Sequence, residues 1–216
     1  MEFKVENGDG IDSWKEVTLV YSAALRQMET KMQILNDEFQ HVHQYNPIEH
    51  IKARIKTPES IVKKLKRYGQ ESTIDNMVKY INDIAGIRII CSFTSDIYRI
   101  ADMIRDQRDI KVIAVKDYIT YPKASGYKSY HMIVSIPVYL SDRTVDTKVE
   151  VQIRTVAMDF WASLEHKINY KFEGNAPEHV KRELIECAGM VSALDNRMQE
   201  LNEEIKALSK EDTDGA

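Results

Sequence analysis

Three short stretches of this 216-residue chain carry side chains whose types and spacing could do chemistry. In residues 148–155, Val149, Val151 and Ile153 alternate with Glu150, Gln152 and Arg154. On a strand this puts an apolar row on one face and an acid, an amide and a cation in a row on the other. An acid beside an arginine on a central strand points to a site, since exposed sheet faces more often carry Thr, Lys or small polar residues. Asp83 stands just ahead of an apolar run and would bring a second carboxylate near Glu150 if the two strands are neighbours. Two carboxylates plus substrate phosphates are a usual way to hold Mg2+. Asp83 reads equally well as the cap of a turn.

The second stretch is Thr57-Pro58-Glu59-Ser60, a helix start with Thr57 as N-cap and Pro58 at the first helical position. Along that helix Ser60, Lys64 and Arg67 are spaced four and three apart and share a face, while Ile61, Leu65 and Tyr68 share the next. Arg54 and Lys56 arrive at the same end. A ladder of cations at a helix N-terminus suits a polyphosphate; taken alone it reads first as a solvated basic face. The third stretch is Gly126-Tyr127-Lys128-Ser129-Tyr130-His131. Gly126 can turn a loop into a strand, with Tyr127, Ser129 and His131 then on one side. Tyr127 at the loop mouth offers a stacking platform for a base. On its own His131 is as readily a satisfied polar group as a catalyst.

These stretches need a scaffold. Residues 84–93 form a nearly continuous β-branched apolar run, the mark of a strand covered on both faces. Ser95 is placed to cap a helix through Ile97, Ile100, Met103 and Ile104, and residues 110–115 return as a strand. Residues 129–140 and 148–155 read as a hairpin across the polar segment 141–146. Residues 156–172 read as a helix with Phe160, Leu164 and Ile168 on one face. The expected fold is therefore α/β in the α+β sense: a mixed sheet of about five strands flanked by helices. Long helices close both ends. Tyr21, Leu25, Met28, Met32, Leu35, Phe39 and Val42 make one heptad seam, and Leu184, Cys187, Val191, Leu194, Met198, Leu201, Ile205 and Leu208 another. Each seam serves either the chain's own core or a partner subunit.

Length and composition indicate one domain, residues 1–216, with 43% apolar and 30% charged residues. The net charge of −4 argues against a generic nucleic-acid binder. It hides an asymmetry: residues 51–68 carry seven cations against Glu59, +6, so the remainder carries −10. The two cysteines, Cys91 and Cys187, read as reduced core thiols. Residues 1–13 hold four acids and no apolar segment, which reads as neither a signal peptide nor an anchor. With no apolar run near the span of a bilayer, a cytoplasmic protein without a membrane partner is expected.

Five motifs stand in order: Arg54-Ile55-Lys56 with Ser60, residues 83–88 (DIAGIR), residues 126–131 (GYKSYH), residues 150–155 (EVQIRT) and residues 161–167 (WASLEHK). In that order and spacing they resemble the synthetase domain of the RelA/SpoT superfamily, and most of all the small, synthetase-only alarmone synthetases of the RelP and RelQ kind. The resemblance implies a nucleotidyltransferase-like fold with a catalytic core at residues 47–175. It implies helices at 15–45 and 178–210 that assemble a homotetramer. The implied reaction moves pyrophosphate from ATP to the 3′-hydroxyl of GDP or GTP. In it Arg54 and Arg88 would sandwich adenine, and Lys56, Ser60, Lys64 and Arg67 would hold the phosphates. Asp83 and Glu150 would bind Mg2+, with Glu150 also the base; Arg88 would join them as catalytic. Tyr127 would stack on guanine, and Lys128, His131, Gln152, Arg154 and Glu165 would position the acceptor. Lys128 departs from the Arg common at its position. His50, Lys52 and Asp159 depart from the Phe, Thr and Asn of the product-activated RelQ branch, which favours a RelP-like chain. No histidine is followed by Asp, so no hydrolase is expected. A tRNA 3′-end pyrophosphokinase and a non-catalytic nucleotide- or RNA-binding module are the alternatives, and the −10 balance disfavours a stable nucleic-acid partner.

Overall fold

The structure, a computed structural model, describes residues 13–172 and 176–214, with side chains except at 169–171 and 209–214. The expectation for the first twelve residues lies outside these. Eleven elements run in the order α1 (Trp14–His41), β1 (Ile48–Ile55), α2 (Pro58–Arg67), α3 (Ile74–Tyr80), β2 (Ala85–Cys91), α4 (Thr94–Arg105), β3 (Lys111–Asp117), β4 (Tyr130–Tyr139), β5 (Thr144–Thr155), α5 (Val156–Lys171) and α6 (Glu178–Asp214). One mixed sheet of five strands has the order β1-β2-β5-β4-β3, in which only the central β2–β5 pair is parallel.

The register aligns side chains across the sheet. Lys52, Arg88, Gln152 and His131 stand opposite one another on four consecutive strands, and Arg54, Gly86, Glu150 and Ile133 form the next row. Directly paired residues share a face, so two rows of charged and polar groups floor one side of the sheet. Between them on β5, Val149, Val151 and Ile153 are fully buried on the other side. There they share a core with Val20, Met28 and Met32 of α1 and Ile97, Ile100 and Ile104 of α4.

That packing decides the role of the first seam. Tyr21, Leu25, Met28, Met32 and Phe39 are all buried in the chain's own core, and only Val42, beyond the end of the helix, stays exposed. The second seam has the opposite fate. Leu194, Met198, Leu201, Ile205 and Leu208 of α6 are exposed, as is Cys187, which is therefore a surface thiol and not the core thiol expected. The inward residues of α6 mix apolar Leu184 and Val191 with small or polar Ala188, Ser192, Asp195 and Gln199.

Three local readings need correcting. Ser95 does not cap α4; Phe93 takes that position, and the Asp96 carboxylate accepts from the Phe93 N–H at 3.2 Å, while the Ser95 N–H is turned to Gln199 of α6. The hairpin turn is shorter than the polar segment suggested. Leu140 N donates to Arg143 O at 2.8 Å and β5 begins at Thr144, because the edge of a ladder tolerates polar residues on both faces. On α5, Phe160 and Leu164 face outward, and the buried stripe is Met158, Trp161 and Ala162. β1 and α3 carry little signal in the sequence: β1 alternates cations with apolar residues weakly, and α3 has only seven residues.

Since α1 is core, Met28→Ala should lower unfolding free energy in urea by about 2–5 kcal/mol, whereas Ile34→Ala, on the exposed face of the same helix, should change it by less than about 0.5 kcal/mol.

Candidate active site

The cleft lies over the polar rows of the sheet, roofed on one side by α5 and the loop between β3 and β4. A cavity of about 240 Å3 is lined by Arg54, Asp83, Gly86, Arg88 and Glu150. It continues into one of about 530 Å3 that adds Lys123, Tyr127, His131, Arg154 and Glu165. Gly86, without a side chain between Arg54 and Glu150, leaves the floor open at the junction. A third recess, lined by Lys56, Ser60, Lys63, Lys64, Arg67 and His166, adjoins at the start of α2. Thr57 caps that helix as expected, accepting from the Ser60 N–H at 3.4 Å, and Ile61 and Leu65 anchor it in the core.

Asp83 and Glu150 therefore share one cleft. The Asp83 carboxylate receives Lys64 Nζ at 2.8 Å and Lys56 Nζ at 3.0 Å. Burial pushes its pKa up, but the two ammonium groups together outweigh burial and leave it below the ordinary 3.8. Glu150 follows the same logic: burial raises it, and His131 and Gln152 bring it below 4.5. Gln152 Nε2 donates to Glu150 Oε2 at 2.8 Å, and His131 Nδ1 lies 3.5 Å from Oε1.

Behind Glu150 stands Arg154, only 4% exposed. Its guanidinium donates to Tyr127 Oη at 2.5 Å, Gln152 Oε1 at 3.0 Å, Ser129 Oγ at 3.2 Å and Asp159 Oδ1 at 3.1 Å. Counting donors assigns the protons. Arginine can only donate, so the tyrosine oxygen accepts from it and keeps its own hydrogen to give to His131 Nε2, 2.8 Å away, when Nδ1 carries the imidazole proton toward Glu150. His131 then carries its proton on Nδ1, toward Glu150, as a neutral imidazole. Burial, which lowers its pKa against the pull of Glu150, favours the same neutral form.

Tyr127 packs edge-on against Tyr118 and His131, with Lys123 Nζ 4.5 Å from its ring centre. Asp159, on the first turn of α5, binds Arg88 Nη1 at 3.0 Å as well as Arg154, and pairs with Lys52 at 3.9 Å. Lys52 and Asp159, two of the RelQ departures, thus touch each other. Arg88 Nε is buried with no protein partner among the described residues.

Of the residues singled out from sequence, Arg54, Asp83, Arg88, Tyr127, His131, Glu150, Gln152, Arg154 and Glu165 line the joined cavities, and Lys56, Ser60, Lys64 and Arg67 the adjoining recess. Lys128 is not brought there. Its ammonium bonds Ser192 Oγ of α6 at 2.5 Å, on the far side of the loop from the cleft. Sequence reasoning missed Lys123, Lys63 and His166 as lining residues. Reading 48–55 as a strand would have put Lys52 beside Arg54 on the cleft face.

Comparison with known proteins agrees with this geometry. Residues 53–175 match the family described as a region found in RelA/SpoT proteins. The chain belongs to the RelA/SpoT family. Within that family it is 47% identical over 195 residues, 90% of this chain and 93% of the relative, to GTP pyrophosphokinase YwaC of Bacillus subtilis. The crystal structure of small alarmone synthetase 2 from B. subtilis superposes with a TM-score of 0.81 at 46% identity, covering 88% of this chain and 98% of that one. Small alarmone synthetase 1 of the same organism, bound to its product pppGpp, gives 0.85 at 35% identity, with 89% and 98% covered. The higher identity with synthetase 2 agrees with the RelP-like placement expected from His50, Lys52 and Asp159.

The cleft also sets a pH dependence. His131 has a folded pKa below the ordinary 6.5, so the unfolded chain takes up a proton that the folded chain refuses. Its contribution is complete above pH 6.5 and is lost as pH falls toward the folded value. Asp83 and Glu150 are depressed, so theirs are present above 3.8 and 4.5 and lost as pH falls through their folded values. All three act in one direction: Tm should fall as pH drops from 6.5, and His131→Gln should flatten the upper part of that fall in a thermal-melt series.

Proposed function

We propose that this chain is a (p)ppGpp synthetase, transferring pyrophosphate from ATP to the ribose 3′-hydroxyl of GDP or GTP. The observation that carries the reading is the convergence of Asp83, Glu150, an arginine-lined cavity and a lysine-lined recess on one continuous cleft. Arg54 and Arg88 present guanidinium planes suited to an adenine. Lys56, Ser60, Lys64 and Arg67, at the positive end of α2, receive the phosphates. The larger cavity takes the acceptor, with Tyr127 as the platform for guanine and His131, Gln152, Arg154 and Glu165 around it.

Glu150 is held in place by Gln152 and His131, and as an ionised carboxylate it takes the proton of the attacking hydroxyl. The 3′-oxygen then forms a bond to the β-phosphorus, the bond between that phosphorus and the oxygen of the α-phosphate breaks, and AMP leaves with the electron pair. Lys56 and Lys64, which share the single carboxylate of Asp83 in the free protein, stand ready to take up developing charge on the phosphates. Asp83 and Glu150 fit Mg2+ as hard oxygen donors sharing a cleft. Among the described residues no group of three or more His, Cys, Asp or Glu side chains is arranged to hold a metal, so substrate phosphates and water would complete the shell. The ion would supply charge neutralisation at the transferred group.

Thin-layer separation of products from ATP with GDP or GTP tests the reading. AMP and guanosine tetra- or pentaphosphate are expected, chelation of Mg2+ should stop synthesis, and Glu150→Gln should lower kcat by at least about a hundredfold. Guanosine tetraphosphate added alone should stay intact, and labelled ATP should not transfer to tRNA.

The exposed apolar seam of α6 is the element we assign to subunit pairing. A homotetramer is expected, with α6 doing the pairing and α1 serving the fold. Light scattering should give four times the chain mass, and charged substitutions at Leu194 and Met198 should reduce it. No described helix is long and apolar enough to cross a membrane, and the proposed nucleotide substrates support a cytoplasmic location.

A further inference from the structure

α6 meets the catalytic half of the molecule at residues that do not line the cleft. Lys128 stands beside Tyr127 in the loop, yet its side chain leaves the cleft and meets Ser192 at 2.5 Å. Next to it, Asp195 is buried at 7% exposure and accepts Thr155 Oγ1 at 2.7 Å, which ties α6 to the residue following Arg154. Gly126, immediately before Tyr127, has φ +85°, and a Cβ there would come within 2.5 Å of Ala188 Cβ on α6. Backbone conformation and contact both demand glycine at that point. The cavity left among these groups is only about 10 Å3, too small for loose play.

We propose that α6 is the positioning element of the acceptor loop: through Lys128–Ser192, the Asp195 cluster and the Gly126–Ala188 contact it holds Tyr127 against the cleft, and Lys128 is a positioning residue that touches no nucleotide. The proposal rests on the reading of the larger cavity as the acceptor site. It explains why a loop residue adjacent to the stacking tyrosine carries a charge turned away from the substrates. The clamp meets the donor side through Thr155, which pairs with Cys91 on β2 three residues beyond Arg88, whereas it packs directly behind Tyr127, so the two substrates should respond differently to its loss.

Three variants test it: Ser192→Ala and Ala188→Leu, both on α6 and both remote from the cleft, and Lys128→Met in the loop. Lys128→Met removes a charge-assisted hydrogen bond and should raise KM for GDP or GTP about tenfold. Ala188→Leu should raise it similarly by pushing the loop off, and Ser192→Ala severalfold, while the Kd of a non-hydrolysable ATP analogue stays within twofold for all three. Combining Ser192→Ala with Lys128→Met should add nothing to Lys128→Met alone. Hydrogen exchange at residues 118–129 should quicken in each variant, a readout that needs no substrate. Faster exchange in a protein that uses neither GDP nor GTP would sink the functional reading and leave the clamp standing. Acceptor KM and loop exchange unmoved by the α6 variants would overturn the clamp, as would an equal rise in the ATP-analogue Kd or additivity of Ser192 and Lys128.

Discussion

The active site is organised around one buried guanidinium. Arg154 satisfies its donors on four partners, and two separate routes run from it to Glu150: one through Gln152, the other through Tyr127 and His131. A buried cation so placed is expensive unless every donor is matched and an opposite charge is near. Asp159 supplies that charge and shares it with Arg88, which binds the two cavities of the cleft into one network. The Glu150 carboxylate thus has its orientation set by the folded chain before any nucleotide arrives, which is the condition for electrostatic preorganisation.

Sheet register does the rest. Because side chains alternate with period two, a shift of one residue in any central pairing would bury Glu150, Gln152 and His131 and turn Val149, Val151 and Ile153 to solvent. The core formed with α1 and α4 forbids that slip. Stability and catalysis therefore hang on the same alternation: the residues that make the sheet pack also hold the opposite row in the cleft.

Much of this was legible in the chain itself. The alternation in 148–155, the capped basic helix and the glycine before Tyr127 each have a local physical signature, and each element forms there, β5 starting four residues earlier at Thr144. The meeting of Asp83 with Glu150 was conditional on strand order, which a single sequence does not carry; the parallel β2–β5 pair met the condition. Lys128 shows the limit most clearly. Its position in the motif pointed to the substrate, but side-chain direction at a loop depends on what packs behind it, and α6 comes from 64 residues further along. Likewise two heptad seams looked alike in pattern. Only tertiary packing separated the one that fills the core from the one left facing out, and the same was true of Phe160 and Leu164 on α5.

The inner surface of α6 has a mechanical corollary. Apolar side chains tolerate sliding past one another, because dispersion and water exclusion have no preferred direction. Ser192, Asp195 and Gln199 meet their partners through bonds with narrow angular tolerance, so the helix has a single seating, and a shift along its axis by even one residue would undo them together. A helix fastened in this way works as a latch with one closed position.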